Sequence, residues 1–535
     1  MPEAIVLVGL SGSGKSTVAA AVAERLGRPL IDLDQDITDR LGANPAEIIE
    51  TRGEASFRAH EAVAVESACA VDDAVIATGG GAVIDPLNRW ALWRAGVVAW
   101  LDAPDEVLLA RLAAHDETRP LLAGDAVDRM ATLRARRERF YRAADVRIDA
   151  SAPAEVVVQT VIDAAAAGRP AARRLFDAEV RRDHLMGPPT ARVVLGHELD
   201  ASTYEAVLAA TSSGTPVVAA DRRAAAALPE LMAALPAARR ILFASGERQK
   251  RLRTVDRLLE AASAMGAERG DAWVGVGGGV ATDMVGTAAA LYVRGVDFVA
   301  LPTTWLGMTD AAIGGKVAVD LSGAKNAAGA FWPPAAIVGD VATQRTLPRS
   351  RRLDGMAESL KSGIIGDPDL WALVETRGRA ALRRDEGARY ALIDRSVQLK
   401  LDVVERDPFE RGERRTLNLG HTLGHALEIE SRYRLAHGKA VVLGLRAVAH
   451  IAAGRGAAPG LAARIDEVVG DLGYELRRHF DPAAVKAALS TDKKRARGRQ
   501  RWILPLDIGR VIDVDDVSEA ELDAAIAHIH AEGTG

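Results

Sequence analysis

The chain is almost without cysteine: Cys69 is the single one in 535 residues. No intrachain disulfide can form, and any metal site must use histidine and carboxylate ligands. No apolar stretch reaches the ~18 residues that a membrane-spanning helix needs. The N-terminus reads as a short buried strand entering a glycine loop, not as a signal peptide. A cytoplasmic protein with no membrane partner is expected. A global excess of charge is also missing, since 68 Lys and Arg stand against 73 Asp and Glu, a net charge of −5. No nucleic-acid partner is expected. The one basic run, Lys493-Lys494-Arg495-Ala-Arg497-Gly-Arg499, reads as a solvated loop when taken as a bare cluster.

The length is too great for one core and fits two to four domains. Residues 1–165 alternate short apolar strands (Ala4–Val8, Leu30–Leu33, Ala74–Ala77, Val97–Leu101) with helical stretches, the pattern of a parallel α/β sheet. Residues 166–190, rich in Ala, Arg, Gly and Pro, read as a linker. Strand–helix alternation returns over 191–345, and residues 346–535 are mostly helical. The expected architecture is multidomain α/β: a phosphate-loop domain, a second α/β domain, then a helical domain.

Two glycine-rich turns stand out. The first, Gly9-Leu-Ser-Gly12-Ser-Gly14-Lys15-Ser16-Thr17, fits the loop whose backbone N–H groups wrap nucleotide phosphates at a helix N-terminus. Lys15 adds charge there, and the Ser16 hydroxyl can ligate Mg²⁺. An ATP-Mg site is expected. Asp32 and Asp34 are placed at the end of the next strand with both side chains on one face. One could support Mg²⁺ and the other orient or deprotonate an acceptor hydroxyl; the bland reading is a solvated turn. Arg58, the Thr78-Gly79-Gly80-Gly81 turn and Arg119, in a polar stretch suited to a lid, suit an anionic acceptor.

Over nearly all of residues 1–165 the sequence resembles shikimate kinase. The pieces are the Lys15 loop, Asp32-Leu-Asp34, Gly53-Glu54…Phe57-Arg58, Ala77-Thr78-Gly79-Gly80-Gly81, Asn88-Arg89, Arg119-Pro-Leu-Leu, and Arg137 four before Tyr141. The resemblance implies ATP-dependent phosphorylation of the shikimate 3-hydroxyl. It puts Asp34 on the acceptor hydroxyl, Arg58, Gly80 and Arg137 on the carboxylate and ring, and Arg119 in the lid. Arg136, beside Arg137, is the competing choice. Gluconate and nucleoside kinases are the nearest rivals.

The second turn, Gly275-Val-Gly277-Gly278-Gly279 with Asp283 after it, follows an apolar strand and lacks the lysine. It could meet a dinucleotide's pyrophosphate or be a plain tight turn. No acid lies ~20 residues on at the strand end where a ribose partner is usual. His421 and His425 are spaced i, i+4 on one helix face. With Glu358 and His437 they offer material for a three-ligand catalytic zinc site. On spacing alone both His421 and His425 are ligands.

Across about residues 190–530 the chain resembles 3-dehydroquinate synthase. The resemblance is carried by Gly277-Gly-Gly-Val-Ala-Thr-Asp283, Tyr292-Val-Arg294-Gly, Pro302-Thr303-Thr304…Asp310-Ala-Ala-Ile-Gly-Gly-Lys316, Lys325-Asn326, Glu358-Ser-Leu-Lys361, Asn418-Leu-Gly-His421-Thr-Leu-Gly-His425 and Asp492-Lys493-Lys494. It implies an NAD-binding α/β domain, a helical domain and a site between them. It assigns zinc or cobalt to Glu358, His421 and His437, leaving His425 for proton transfer. It places Glu247, Lys250, Gly278, Gly279, Asp283, Thr303, Thr304, Lys316 and Lys325 on the dinucleotide side. Asp310, Lys316, Asn326, Lys361, Lys400, Arg414, Asn418 and Lys493 or Lys494 line the substrate site, Asp310 and Lys361 as catalytic residues, with Arg294 reaching the phosphate of a neighbouring subunit in a homodimer formed through this half. The implied reaction converts 3-deoxy-D-arabino-heptulosonate 7-phosphate to 3-dehydroquinate with phosphate release. Two departures are Lys439, where the family usually has Glu after His-Gly, and Ala324, where it commonly has Gly.

The expected protein is a bifunctional enzyme of aromatic (chorismate) biosynthesis. The alternatives are a kinase joined to a polyol or alcohol dehydrogenase-like half, or one half serving as a non-catalytic binding or scaffold module.

Overall fold

Ile5, Val6, Leu7 and Val8 are all buried, as a strand covered on both faces requires. Ala4–Val8 is the centre of a five-stranded parallel sheet, flanked by Val75–Ala77 and Gly96–Asp102, with Leu30–Asp32 and Val146–Asp149 at the edges. The chain is seen here in a computed structural model that describes residues 3–114, 126–182, 190–321, 324–495 and 500–531. Contacts divide it into two units, Met1–Glu179 with Val193–Leu199, and Val180–Arg192 with Asp200–Gly535.

In the first unit the glycine loop opens the helix Lys15–Leu26. Gly14 caps it in the left-handed conformation, φ +87°, which a side chain would strain. One expectation needs correction. Asp32 ends its strand, but Asp34 does not share that strand's face. It lies in the first turn of the helix Leu33–Leu41, whose N-cap is Asp32. The Asp32 carboxylate competes for the free N–H groups and starts the helix early. The stretch 166–190 holds the strand Arg173–Arg181, where Leu175 and Phe176 are buried. Its flanking Ala, Arg, Gly and Pro hid it.

The second unit contains a parallel sheet that runs Ala336–Asp340, Phe298–Pro302, Trp273–Gly277, Val217–Asp221, Arg240–Phe243. In chain order the strands reverse direction of growth between Val217–Asp221 and Trp273–Gly277. Such a switch point opens a ligand crevice at the carboxyl ends of the two strands, here Asp221 and Gly277. An antiparallel hairpin, Lys316–Leu321 with Ala324–Phe331, follows. Lys316–Leu321 alternates Val317, Val319 and Leu321 with Lys316, Ala318 and Asp320, a strand pattern that was missed, whereas Ala324–Phe331 is small and polar and gave no signal. The helix Arg349–Gly366 then runs through the interior, buried from Leu353 to Ile365, with Glu386–Arg406, His421–Glu430 and His437–Ala453 after it. No helix among the described residues is long and apolar enough to cross a membrane.

Candidate functional sites

In the first unit, Lys15 folds back on its own loop and donates to the carbonyls of Gly9 and Leu10 at 2.9 and 3.0 Å. Ser16 and Thr17 are exposed in the first helical turn. A Cβ on Gly12 would stand 2.8 Å from the Leu108 carbonyl oxygen, so the loop tolerates no side chain there. Among the described residues the buried Ser13 hydroxyl has no hydrogen-bond partner. An unsatisfied polar atom inside a glycine cradle fits an absent phosphate.

The triple glycine faces a different charged group at each step. A Cβ on Gly79 would lie 2.8 Å from Asp34 Oδ1 and 3.0 Å from Glu61 Oε1; on Gly80, 3.2 Å from an Arg137 nitrogen; on Gly81, 2.5 Å from the Arg58 guanidinium. One small pocket thus collects Asp34, Arg58, Glu61 and Arg137. Arg137 is buried and Arg136 exposed, so the helix face distinguishes them. Tyr141 donates to the Gly80 carbonyl at 2.5 Å. Glu61 was not anticipated. It is 1 % exposed, sits one turn after Arg58 and accepts from it at 2.7 Å. Burial raises its pKa, and the Arg58 guanidinium opposes that rise. Arg119 lies outside the described residues.

In the second unit, Glu358, His421 and His437 bring ligand atoms within 4.8 Å of one another. Glu358 Oε1 is 3.3 Å from His437 Nε2 and 3.6 Å from His421 Nε2. His421 Nδ1 lies 3.2 Å from the Leu419 carbonyl; donating there leaves Nε2 free as a ligand. Burial, with Lys361 nearby, lowers the His421 pKa to about 3, so the ring is held neutral. Burial opposes ionisation of Glu358, but Lys361, at 2.5 Å, helps hold its pKa down at about 2. This nitrogen and oxygen set suits zinc or cobalt. A second group, His425, Glu428 and His437, is equally close-set.

Around these groups the described lysines pair with carboxylates. Lys400 pairs with Asp310, which sits on a π-helical turn, Gly307–Ala311. Lys316 pairs with Glu410, which also accepts from Asn418 at 2.8 Å. Arg414 donates to the Gly314 carbonyl at 2.8 Å. Glu410 was not singled out from the sequence. It holds a positive φ of 57°, unusual for a residue with a side chain. Lys439 points to Glu475 at 3.7 Å and is no member of either close-set group. Arg294 is exposed, and the site's described ion pairs do not include it. The side chains of Lys493 and Lys494 lie outside those described.

At the crevice, Gly277 has φ +149°, and a Cβ there would stand 2.7 Å from Ala281 Cβ and 3.1 Å from Asp221 Cβ. Gly278 packs on Thr304, whose hydroxyl accepts from Gly307 N–H at 3.0 Å, and Thr303 N–H donates to the Gly277 carbonyl at 2.7 Å. Lys250 bridges Asp283 and Asn326, at 2.6 Å to each. Burial raises Asp283 to about 6 against the pull of Lys250. Lys325 joins Glu247, at 3.2 Å, to Glu428. Asp221 is a strand-end acid beside the glycine turn, its Oδ1 accepting from the Arg223 and Ala224 N–H groups and its Oδ2 from Ser245. It precedes the turn in sequence and borders it in the sheet.

Comparisons with known proteins agree with this division. The shikimate kinase family model matches residues 11–166. Models for the N-terminal and C-terminal parts of 3-dehydroquinate synthase match residues 240–354 and 355–495. The chain is 40% identical over 328 residues to 3-dehydroquinate synthase of Xanthomonas axonopodis pv. citri, covering 59% of this chain and 87% of the relative. It is 38% identical over 283 residues to that of Symbiobacterium thermophilum, covering 52% and 79%. Among solved structures, ValA (2-epi-5-epi-valiolone synthase) from Streptomyces hygroscopicus subsp. jinggangensis 5008, with NAD⁺ and Zn²⁺ bound, is similar at TM-score 0.60 and 28% identity, over 65% of this chain and 99% of that one. The chain belongs to the 3-dehydroquinate synthase family and carries a shikimate kinase domain ahead of it, as a bifunctional enzyme of the shikimate pathway.

Proposed function

We propose that the two pockets carry out these two reactions with the following residues. In the first, Lys15 and the Gly9–Gly14 backbone hold the phosphates of ATP, and Ser16 with Asp32 supports Mg²⁺. Asp34 holds the acceptor hydroxyl and takes its proton. Arg58 and Arg137 bind the acceptor's carboxylate, which suits their planar forks. Arg119 adds the lid contact.

In the second pocket, Glu358, His421 and His437 hold zinc or cobalt, and the crevice between Asp221 and Gly277 holds NAD. When bound, the metal lowers the pKa of a substrate hydroxyl and NAD accepts and returns a hydride. Lys361 lies against the metal group and fixes the substrate there. Lys400, Arg414, Asn418, Asn326 and Lys316 bind the phosphate and carboxylate of the heptulosonate phosphate, with Lys493 or Lys494 closing on it. Glu410 occupies Lys316 and Asn418 until an anionic substrate displaces it. His425 moves the proton. Asp221 accepts from a ribose hydroxyl, while Glu247, Lys250, Asp283, Thr303, Thr304 and Lys325 shape the dinucleotide side. A homodimer through this half, to which Arg294 contributes, and a cytoplasmic location complete the reading.

The observation that carries it is the close-set Glu358–His421–His437 group, buried at Glu358 and His421 and half-buried at His437, with Lys361 against it. Two variants of the full chain test it. D34N should abolish shikimate-dependent ADP formation and spare phosphate release from the heptulosonate phosphate; E358A should do the reverse. If either variant lost both reactions, or neither, the assignment would fail.

A further inference from the structure

Glu428 lies two helical turns beyond His421 on the same helix, His421–Glu430, and so on the same face. It is 3 % exposed. Its Oε1 is 3.2 Å from His437 Nδ1, while Lys325 donates to both of its oxygens, at 3.1 and 3.3 Å. The opposite edge of the same imidazole presents Nε2 to Glu358 Oε1. His437 is therefore gripped by a carboxylate at each nitrogen. A metal ligated at Nε2 takes that lone pair, so the ring proton must reside on Nδ1. Glu428 is the acceptor waiting for it.

We propose that Glu428 is a positioning residue of the metal site. It accepts the Nδ1 proton of His437, fixes the tautomer whose Nε2 faces Glu358 and His421, and is itself held by Lys325. The inference rests on the reading of Glu358, His421 and His437 as the ligands. The two overlapping groups are not equivalent. Lys361 occupies only Oε2 of Glu358, leaving Oε1 for the imidazoles. Lys325 engages both oxygens of Glu428, so a metal placed there would compete with an ammonium for each of them. The two ligating rings also have different outer partners: His421 has the Leu419 carbonyl and His437 has a carboxylate. A carboxylate partner raises ligand basicity more. Because Lys325 also touches Glu247, Glu428 links the dinucleotide side of the crevice to the metal ligand.

The test is Co²⁺ binding to the metal-stripped full-length protein, titrated against a competing chelator and followed by the visible Co²⁺ bands. Wild type should bind Co²⁺ and E358A should not, which holds the ligand reading. A wild type that fails to bind would overturn that reading and this inference together. E428A should weaken Co²⁺ binding about 10- to 100-fold, the usual cost of removing such an outer partner. E428Q, whose amide oxygen still accepts the Nδ1 proton, should recover part of the affinity. H425A should bind Co²⁺ like wild type. Unchanged affinity in E428A would overturn the inference. So would an H425A as weak as E428A, since that marks the second group as the metal site. If E428A does not fold, E428Q decides: affinity below wild type with the Co²⁺ bands in place supports the role, and wild-type affinity overturns it.

Discussion

The kinase pocket and the synthase pocket both bind anions, but they hold their cations differently. Arg58 is braced by Glu54 and Glu61, neighbours on its own helix, and Lys15 by carbonyls of its own loop. In the synthase half, Lys400, Lys316 and Lys325 pair with carboxylates 90, 94 and 103 residues away. In the first site these cations are therefore braced locally, although the pocket draws its groups from Asp34 to Arg137, around an arginine fork of fixed shape. The second is a network of point charges closed by tertiary folding, in which Glu410 engages Lys316 and Asn418 and, in the proposed reading, yields them to an incoming anion. Local bracing predicts a pocket that fails one group at a time. A distant network predicts that a broken pair costs stability as well as rate.

The largest effect expected is from K15A, which should cut shikimate-dependent ADP formation by about 10²- to 10³-fold, as for loss of a key electrostatic group. Phosphate release should be untouched; a joint fall would erase the distinction between the halves. Next is K325A, which leaves Glu428, 3 % exposed, without the ammonium that reaches it from 103 residues away. Breaking such a buried pair should destabilise the second unit by about 3–5 kcal/mol in denaturant unfolding of metal-free protein, with the first unit's transition unmoved. If K325A unfolded like wild type, the idea of a stability-bearing network would fail. A smaller effect separates two adjacent arginines. R137K should raise the KM for shikimate roughly tenfold by losing a bidentate fork, whereas R136K, on the exposed face, should not. The reverse order would misplace the helix face. The smallest is C69S, which should leave both rates and the Co²⁺ capacity unchanged, since the metal group contains no thiol. Burial lifts the Cys69 thiol to about 12, so alkylation near pH ~8 should also be slow.

Legibility in the sequence followed the same divide. The glycine loop, its strand and its helix could be read because motif and elements are contiguous. Asp34 was read as a strand residue because its face depends on Asp32 capping a helix, and two aspartates in alternation look alike in either setting. Glu61 could have been found as the carboxylate one turn after Arg58. Spacing alone drew His421 and His425 together, yet the fold puts them in different close-set groups, His421 with Glu358 and His437, and His425 with Glu428 and His437. A ribose acid was sought after the glycine turn; Asp221, proposed for that role, lies before it, because strand order in the sheet differs from strand order in the chain. Glu410 and Glu428 had no motif of their own; their partners sit on elements that meet only in the fold. In the hairpin that places Lys316 and Lys325, the alternation of Val317, Val319 and Leu321 was legible and missed, whereas Ala324–Phe331, mostly Ala and Gly, carries too little apolar patterning to announce itself.

The central claim is that one chain holds two independent anion pockets, of which only the second depends on a histidine and carboxylate metal group. The most direct measurement follows both reactions in one purified sample, with Mg²⁺ in excess, as a zinc-selective chelator is added and then Zn²⁺ or Co²⁺ is restored. Phosphate release from the heptulosonate phosphate should vanish and return, while shikimate-dependent ADP formation stays constant throughout. Phosphate release that survives complete removal of the metal, or kinase activity that falls with it, would contradict the account.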